Sequence, residues 1–168
     1  MEPITKLTDT FWNEKGLREE ALFQKQNALL FPTKKVTIRA VPMTERTPEL
    51  TRMYKAFCEK YPYDFGIISC SYMYIDGGED YPWHVDNVVG LRVSELPPVQ
   101  CTINILVEGS ETAVEFENFG EYVYKAAVFN TSIMHRITPK SDRIITRLSF
   151  REMCYKDVVR KVKTKINN

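Results

Sequence analysis

Three side chains in this sequence could hold a metal ion between them. His84 and Asp86 stand in the stretch YPWHVDN, residues 81–87, and His135, in MHRITP, is the other of the chain's two histidines. In an extended segment, residues i and i+2 point to the same side, so His84 and Asp86 can aim ligand atoms at one point. An imidazole from a second strand then completes a set of two histidines and one carboxylate. That set suits a mid-series divalent ion, non-haem Fe(II) above all, and leaves three octahedral positions open. A bare His-x-Asp is a short motif with a high false-positive risk. Its weight here comes from placement: both histidines fall at strand boundaries within one β-rich region, and a basic strand follows His135.

That strand is DRIITRLSFRE. On a period of two, Arg143, Ile145, Arg147, Ser149 and Arg151 share one face, while Ile144, Thr146, Leu148 and Phe150 share the other. The even face is a core face apart from Thr146. On the odd face, Arg151 at the strand's end is expected to meet solvent. Arg143 and Arg147 sit further in, where an unpaired charge is costly. A guanidinium binds a carboxylate through two parallel bonds, so a small dicarboxylate is the partner this face calls for.

The elements that must position these residues change character along the chain. The first third is mixed and largely helical. WNEKGLREEALFQKQNALLF carries Leu17, Leu22, Phe23, Leu29 and Leu30 among charged residues, and KKVTIRAVP is a short strand candidate with Val36, Ile38 and Ala40 alternating. In TPELTRMYKAFCEKYP, Leu50, Met53, Tyr54, Phe57 and Cys58 recur at helical spacing behind Thr47-Pro48, a favourable helix start. From about Asp64 the segments DFGIISCSYMYIDGG, VQCTINILVEG, TAVEFENFG, EYVYKAAVFN, MHRITP and DRIITRLSF are short and rich in β-branched and aromatic residues, with turn residues between them. They predict six or more strands. CYKDVVRKVKTKI returns to helix. The expected organisation is a single domain over residues 1–168: a helical support region at 1–62, a β core at 63–152 forming a sandwich or barrel buttressed by the N-terminal helices, and a C-terminal helix at 153–168.

Composition narrows the function classes. At 168 residues the chain can bury one core, and its 43% hydrophobic and 27% charged residues are ordinary for a globular domain. Lys+Arg 23 against Asp+Glu 22 gives a formal net charge of +1, so no electrostatic footprint favours nucleic acid or an anionic membrane. The basic VVRKVKTKINN reads as a solvated helix. No signal-peptide pattern opens the sequence and no apolar run reaches membrane-spanning length. Cys58, Cys70, Cys101 and Cys154 are scattered without a paired spacing, which fits free thiols in a reducing cytoplasm.

Taken together, HVDN, a run of strands, HRITP and DRIITRLSF resemble the Fe(II)/2-oxoglutarate-dependent dioxygenases, over residues 66–151. YIDGGEDYPWHVDN looks like the entry to the metal site of prolyl hydroxylases, and VFNTSIMHRI looks more like the aspartyl/asparaginyl β-hydroxylases, so the resemblance is to the superfamily. It implies a double-stranded β-helix, a jelly-roll or cupin-like barrel. It also implies His84, Asp86 and His135 as iron ligands, with 2-oxoglutarate as cosubstrate and O2 as oxidant. An arginine on the last core strand would take the far carboxylate of 2-oxoglutarate. Arg143 at the strand's start is preferred; Arg147, which forms Arg-x-Ser with Ser149, is the alternative. By the same likeness Tyr74 would reach the cosubstrate and Tyr81 would flank the cavity. Asn104, an amide in the apolar CTINIL, could bond the cosubstrate or serve a ladder or turn. The presence of Asp86 favours hydroxylation over halogenation, because halogenating members lack the carboxylate ligand.

The implied activity is hydroxylation of an unactivated C–H bond in an amino acid, a peptidyl side chain or a small metabolite. Two other readings stand beside it. A cupin-type metalloenzyme would use the same ligand types without an arginine for a dicarboxylate, and a non-catalytic β-sandwich module would keep the histidines for structure alone. Trp83, Arg92, Tyr122 and Tyr124 could line a pocket, with strand packing the more ordinary role for the two tyrosines. NVVGLRVSELPPVQ, directly after the metal ligands, is either a lid or a plain connector.

Overall fold

The computed structural model describes residues 2–25, 29–32, 37–40, 47–78, 81–86, 97–111 and 113–166. Two antiparallel sheets face each other. The larger has seven strands in the order β1-β8-β5-β10-β4-β3-β2, and the smaller has three in the order β7-β6-β9. The large sheet comprises β1 (Ile4–Lys6), β2 (Leu29–Pro32), β3 (Thr37–Ala40), β4 (Ile68–Ile75), β5 (Cys101–Glu108), β8 (Ala126–Phe129) and β10 (Arg143–Phe150). The small one comprises β6 (Val114–Phe116), β7 (Gly120–Tyr122) and β9 (His135–Ile137). This is the mainly β architecture of a double-stranded β-helix, with three helices against one side.

The two faces of the large sheet do different work, and the period-two pattern of β10 sorts them. Ile144, Leu148 and Phe150 lie with Tyr72, Tyr74, Ile103, Ile105 and Val128 in the main core, against Leu17 and Ala21 of α1 (Glu14–Gln24), Leu50, Met53 and Phe57 of α2 (Pro48–Lys60), and Val158 and Val162 of α3 (Tyr155–Ile166). The odd residues of β10 face the small sheet instead. There Ile4, Ala127 and Phe129 from the large sheet meet Val114 and Phe116 from the small one. Burying apolar surface on both sides of one sheet leaves β10, its middle strand, fully enclosed.

Local rules explain the helices. Asn13 caps α1 by accepting from the Gly16 N–H, and Thr47 caps α2 by accepting from the Leu50 N–H, with proline in the first turn. One carboxylate ties them to the sheet: Glu20 accepts from the Tyr72 hydroxyl at 2.7 Å, from the Glu49 N–H at 3.0 Å and from the Thr47 hydroxyl.

Some expectations need correction. The helix opening at Glu14 ends at Gln24, and Leu29 and Leu30 belong to β2. Leu22 and Phe23 are exposed. Besides α1 and α2, the region 1–62 supplies β1, β2 and β3 to the large sheet, and β3 is the strand expected in KKVTIRAVP. EYVYKAAVFN, expected as one strand, splits into β7 and β8, which join different sheets. Val36 lies outside the described residues.

Candidate metal centre

Paired backbone bonds bring the two histidines together. The His84 N–H donates to the His135 carbonyl at 3.0 Å, and the His135 N–H donates back to His84 at 2.9 Å. This is a hydrogen-bonded antiparallel pair, and it stacks the two rings 4.5 Å apart. Each Nδ1 meets a carbonyl oxygen two residues earlier: Pro82 for His84 at 2.8 Å, Ile133 for His135 at 2.7 Å. A carbonyl can only accept, so Nδ1 carries a proton and Nε2 is the nitrogen turned toward Asp86 and placed to take a metal.

Both Nε2 atoms converge on Asp86. Its Oδ1 lies 3.3 Å from His84 Nε2 and 3.2 Å from His135 Nε2, and one ligand atom from each residue falls within 4.8 Å of the others. Asp86 is itself fixed by its backbone, whose N–H donates to the Thr131 carbonyl at 3.1 Å. Two fixed imidazoles and a carboxylate meeting at one point form a donor set that fits a divalent cation.

Charge around the site is arranged for that carboxylate. Burial alone would raise the Asp86 pKa. The Arg147 guanidinium, and then hydrogen bonds from His135 and His84, instead hold it well below the usual carboxylate range. For His84, burial works against the charged form, but bonding and charge from Asp86 raise its pKa overall.

The β10 arginines are now distinguishable. Arg147 Nη2 lies 3.2 Å from Asp86 Oδ2, and its Nε–H donates to Asn104 Oδ1 at 3.2 Å across the β5–β10 register pair. Arg147, held by Asn104, thus braces Asp86. Arg143 is buried, with 3% exposure. Its Nη2 donates to the Tyr124 hydroxyl at 3.3 Å, its Nε has no hydrogen-bond partner, and no ion pair to it occurs among the described residues. Ile75, Tyr81 and Ile145 form an apolar cluster on the same face, so Tyr81 does flank the interior.

Other candidates fall elsewhere. Tyr74 pairs in register with Ile144 on the helix side of the sheet, and its hydroxyl donates to the Ala21 carbonyl at 2.5 Å. The sheet itself separates it from the triad, which removes it from the site. Ser149 lies on the interior face, fully buried. Trp83 is 39% exposed beneath the Arg136 guanidinium, 4.6 Å from its ring centre. Tyr122 packs on Phe116. Arg151 is buried rather than solvated, donating to Ser69 Oγ and the Pro97 carbonyl. Arg92 and residues 87–96 of the lid candidate lie outside the described residues. Tyr124, offered by the sequence as a possible pocket residue or as strand packing, is the side chain whose hydroxyl the buried Arg143 meets.

Solved structures that share this architecture include oxygenases. A prolyl-4-hydroxylase from Pseudomonas putida superposes with a TM-score of 0.59 at 10% identity, covering 91% of this chain and 94% of that one. The shared fold is the double-stranded β-helix. A 2OG-Fe(II) oxygenase family protein from Burkholderia pseudomallei matches at a TM-score of 0.56 and 13% identity, over 88% of this chain and 84% of its own. The viral collagen prolyl hydroxylase of Paramecium Bursaria Chlorella virus-1, solved with 2OG, matches at 0.55 and 15%, over 88% and 95%. No protein-family model and no curated protein matches the sequence. Among the described residues no helix is long and apolar enough to cross a membrane.

Proposed function

We propose that the protein is an Fe(II)- and 2-oxoglutarate-dependent oxygenase that hydroxylates an unactivated C–H bond of an amino acid, a peptidyl side chain or a small metabolite. The observation that carries this is a pairing between the two sheets: a converging His84–Asp86–His135 set on the small-sheet side, and a buried Arg143 on β10 with no acidic partner among the described residues. A cupin-type metalloenzyme would need the first feature only.

The iron and 2-oxoglutarate, when bound, supply the oxidising power for hydroxylation by O2 as the cosubstrate is decarboxylated to succinate. The chain's own residues do the rest. His84 and His135 present Nε2 in a fixed tautomer, and Asp86 presents Oδ1 while Arg147 occupies the side of Oδ2. Arg143 and Tyr124 offer a guanidinium and a hydroxyl to a far carboxylate. Ile75, Tyr81 and Ile145 line the same face with apolar surface that keeps water out.

Anaerobic addition of Fe(II) and 2-oxoglutarate tests this through the visible charge-transfer band of the chelate. The band is expected in the wild type, lost in His135→Ala and weakened in Arg143→Ala. A protein that binds no metal and gives no band overturns the proposal. A band indifferent to Arg143→Ala would leave the triad and overturn the cosubstrate anchor.

A further inference from the structure

The interior face of β10 has a middle and two unlike halves. Arg147, touching Asp86, marks the middle. Toward the strand's start the lining is apolar and ends at Arg143 and Tyr124. Toward its end the lining becomes polar. Ser149 stands in register with Ser69 on β4 and with Thr102 on β5, so three hydroxyl side chains form one row across three adjacent strands. The row beside it is Ser71, Arg147 and Asn104. Successive residues on one face lie about 6.6 Å apart along a strand, so the hydroxyl row is one step from the residue that holds the metal ligand.

Two of these three hydroxyls lack partners. Ser149 and Thr102 are completely buried and Ser69 nearly so, yet Ser149 Oγ and Thr102 Oγ1 make no hydrogen bond. Thr131 Oγ1, on the residue whose carbonyl takes the Asp86 N–H, is likewise buried and unpartnered. Buried hydroxyls ordinarily find an acceptor, and a barrel interior with no polar guest would be filled by apolar side chains. Arg151 closes the row. Its Nε–H donates to Ser69 Oγ at 3.3 Å and its Nη1 to the Pro97 carbonyl at 3.0 Å. Burial first, and the charge of Arg147 second, push its pKa down, as befits two guanidiniums sharing one face. Hydroxyl donors in want of an acceptor beside a buried cationic wall are complementary to an oxyanion.

We propose that this half of the interior receives a carboxylate of the substrate, with Ser149 and Thr102 donating to it and Arg151 supplying the charge. The substrate class is then a small carboxylate-bearing molecule, such as a free amino acid, rather than the middle of a long peptide. The reaction rests on the proposed function; the carboxylate site rests on these residues alone.

The test uses acetate as probe and acetamide as its neutral counterpart, with saturation-transfer NMR on protein loaded with Zn(II) and saturated with 2-oxoglutarate. Acetate is expected to bind more tightly than acetamide. Thr102→Val combined with Ser149→Ala should weaken acetate about tenfold or more, the loss of hydrogen bonds to a charged group, while keeping the Fe(II)–2-oxoglutarate band. Arg143→Ala should do the reverse: the band weakens, and acetate still binds without 2-oxoglutarate. Thr102→Val alone is isosteric, removes an unsatisfied hydroxyl and should hold or raise the melting temperature, so it serves if the double variant folds poorly. Acetate that does not bind, binds no better than acetamide, or ignores both variants overturns the site, and water fills it. Loss of the band in a folded Thr102→Val variant also overturns it, by giving the hydroxyls to the cosubstrate. If no protein gives the band, the oxygenase reading fails and the acetate titration still decides the carboxylate site.

Discussion

Arg147 takes one oxygen of Asp86 and leaves the other to the two histidines. The guanidinium lies 3.2 Å from Oδ2, while Oδ1 sits between the Nε2 atoms of His84 and His135. A carboxylate held this way has one oxygen to give a metal, which keeps it from occupying a second coordination position. Partners of a metal ligand typically matter by 10–100-fold in affinity, so Arg147→Ala is expected to weaken divalent-metal binding by about that factor. Arg143→Ala, on the same strand face, should leave it unchanged. Titration with Co(II), followed by its visible absorption, compares the two; equal effects would mean that Arg147 has no special hold on Asp86.

The buried Arg143 carries the cosubstrate prediction. Removing a buried charge that lacks an acidic partner in favour of an apolar side chain of similar volume is often neutral or stabilising. Arg143→Met should therefore match or exceed the wild type in melting temperature without ligand. With metal present, 2-oxoglutarate at about a hundred times its Kd should stabilise the wild type by about 2.7 kcal/mol, and this gain should vanish in Arg143→Met. Tyr124→Phe should retain most of it. Thermal melts with and without 2-oxoglutarate read both effects.

Tyr74 should behave as a structural residue. Its hydroxyl donates to the Ala21 carbonyl on the helix side of the sheet, so Tyr74→Phe is expected to cost about 1 kcal/mol of stability, the ordinary value of such a bond. The 2-oxoglutarate affinity should not move. Denaturant unfolding together with a cosubstrate titration checks the pair of outcomes.

Gly77 sets the approach to Arg143. Its N–H donates to Asp142 Oδ1 at 2.8 Å, and a Cβ there would sit 2.3–2.7 Å from backbone atoms of Ser141. Backbone cannot rotate aside as a side chain can, so Gly77→Ala should cost roughly 1–3 kcal/mol and shift the turn that delivers Arg143. Weaker 2-oxoglutarate binding is expected with it. At Gly78 the space is open and only the positive φ of 87° resists a side chain, so Gly78→Ala should cost about 1–2 kcal/mol and spare the cosubstrate. Unfolding and binding measurements on both variants separate the two effects.

The ligand types and the two faces of β10 were legible in the sequence because both depend on short-range geometry. His84 and Asp86 fall two apart in an extended segment, and β10 alternates apolar residues with arginine and serine on a period of two, apart from Ile145 and Thr146. Less local facts were hidden. Val123 is exposed between Tyr122 and Tyr124, where the chain leaves the small sheet for the large one. Nothing in EYVYKAAVFN says that alternation gives way there to a strand buried on both faces. Arg151 looked solvated because its strand ends there; the chain returning at Pro97 covers it.

The sequence by itself determined which chemistry was possible: two imidazoles, one carboxylate and a row of arginines, each assigned to a strand face by its spacing. Tertiary structure alone decided their partners. That His84 lies opposite His135, that Arg147 meets Asp86 and Asn104, and that Arg143 meets the Tyr124 hydroxyl and no carboxylate among the described residues all follow from strand register. So does the placement of Tyr74 behind the sheet. Register is fixed by the sum of core contacts across distant segments, and a shift of one residue would turn every one of these side chains to the opposite face.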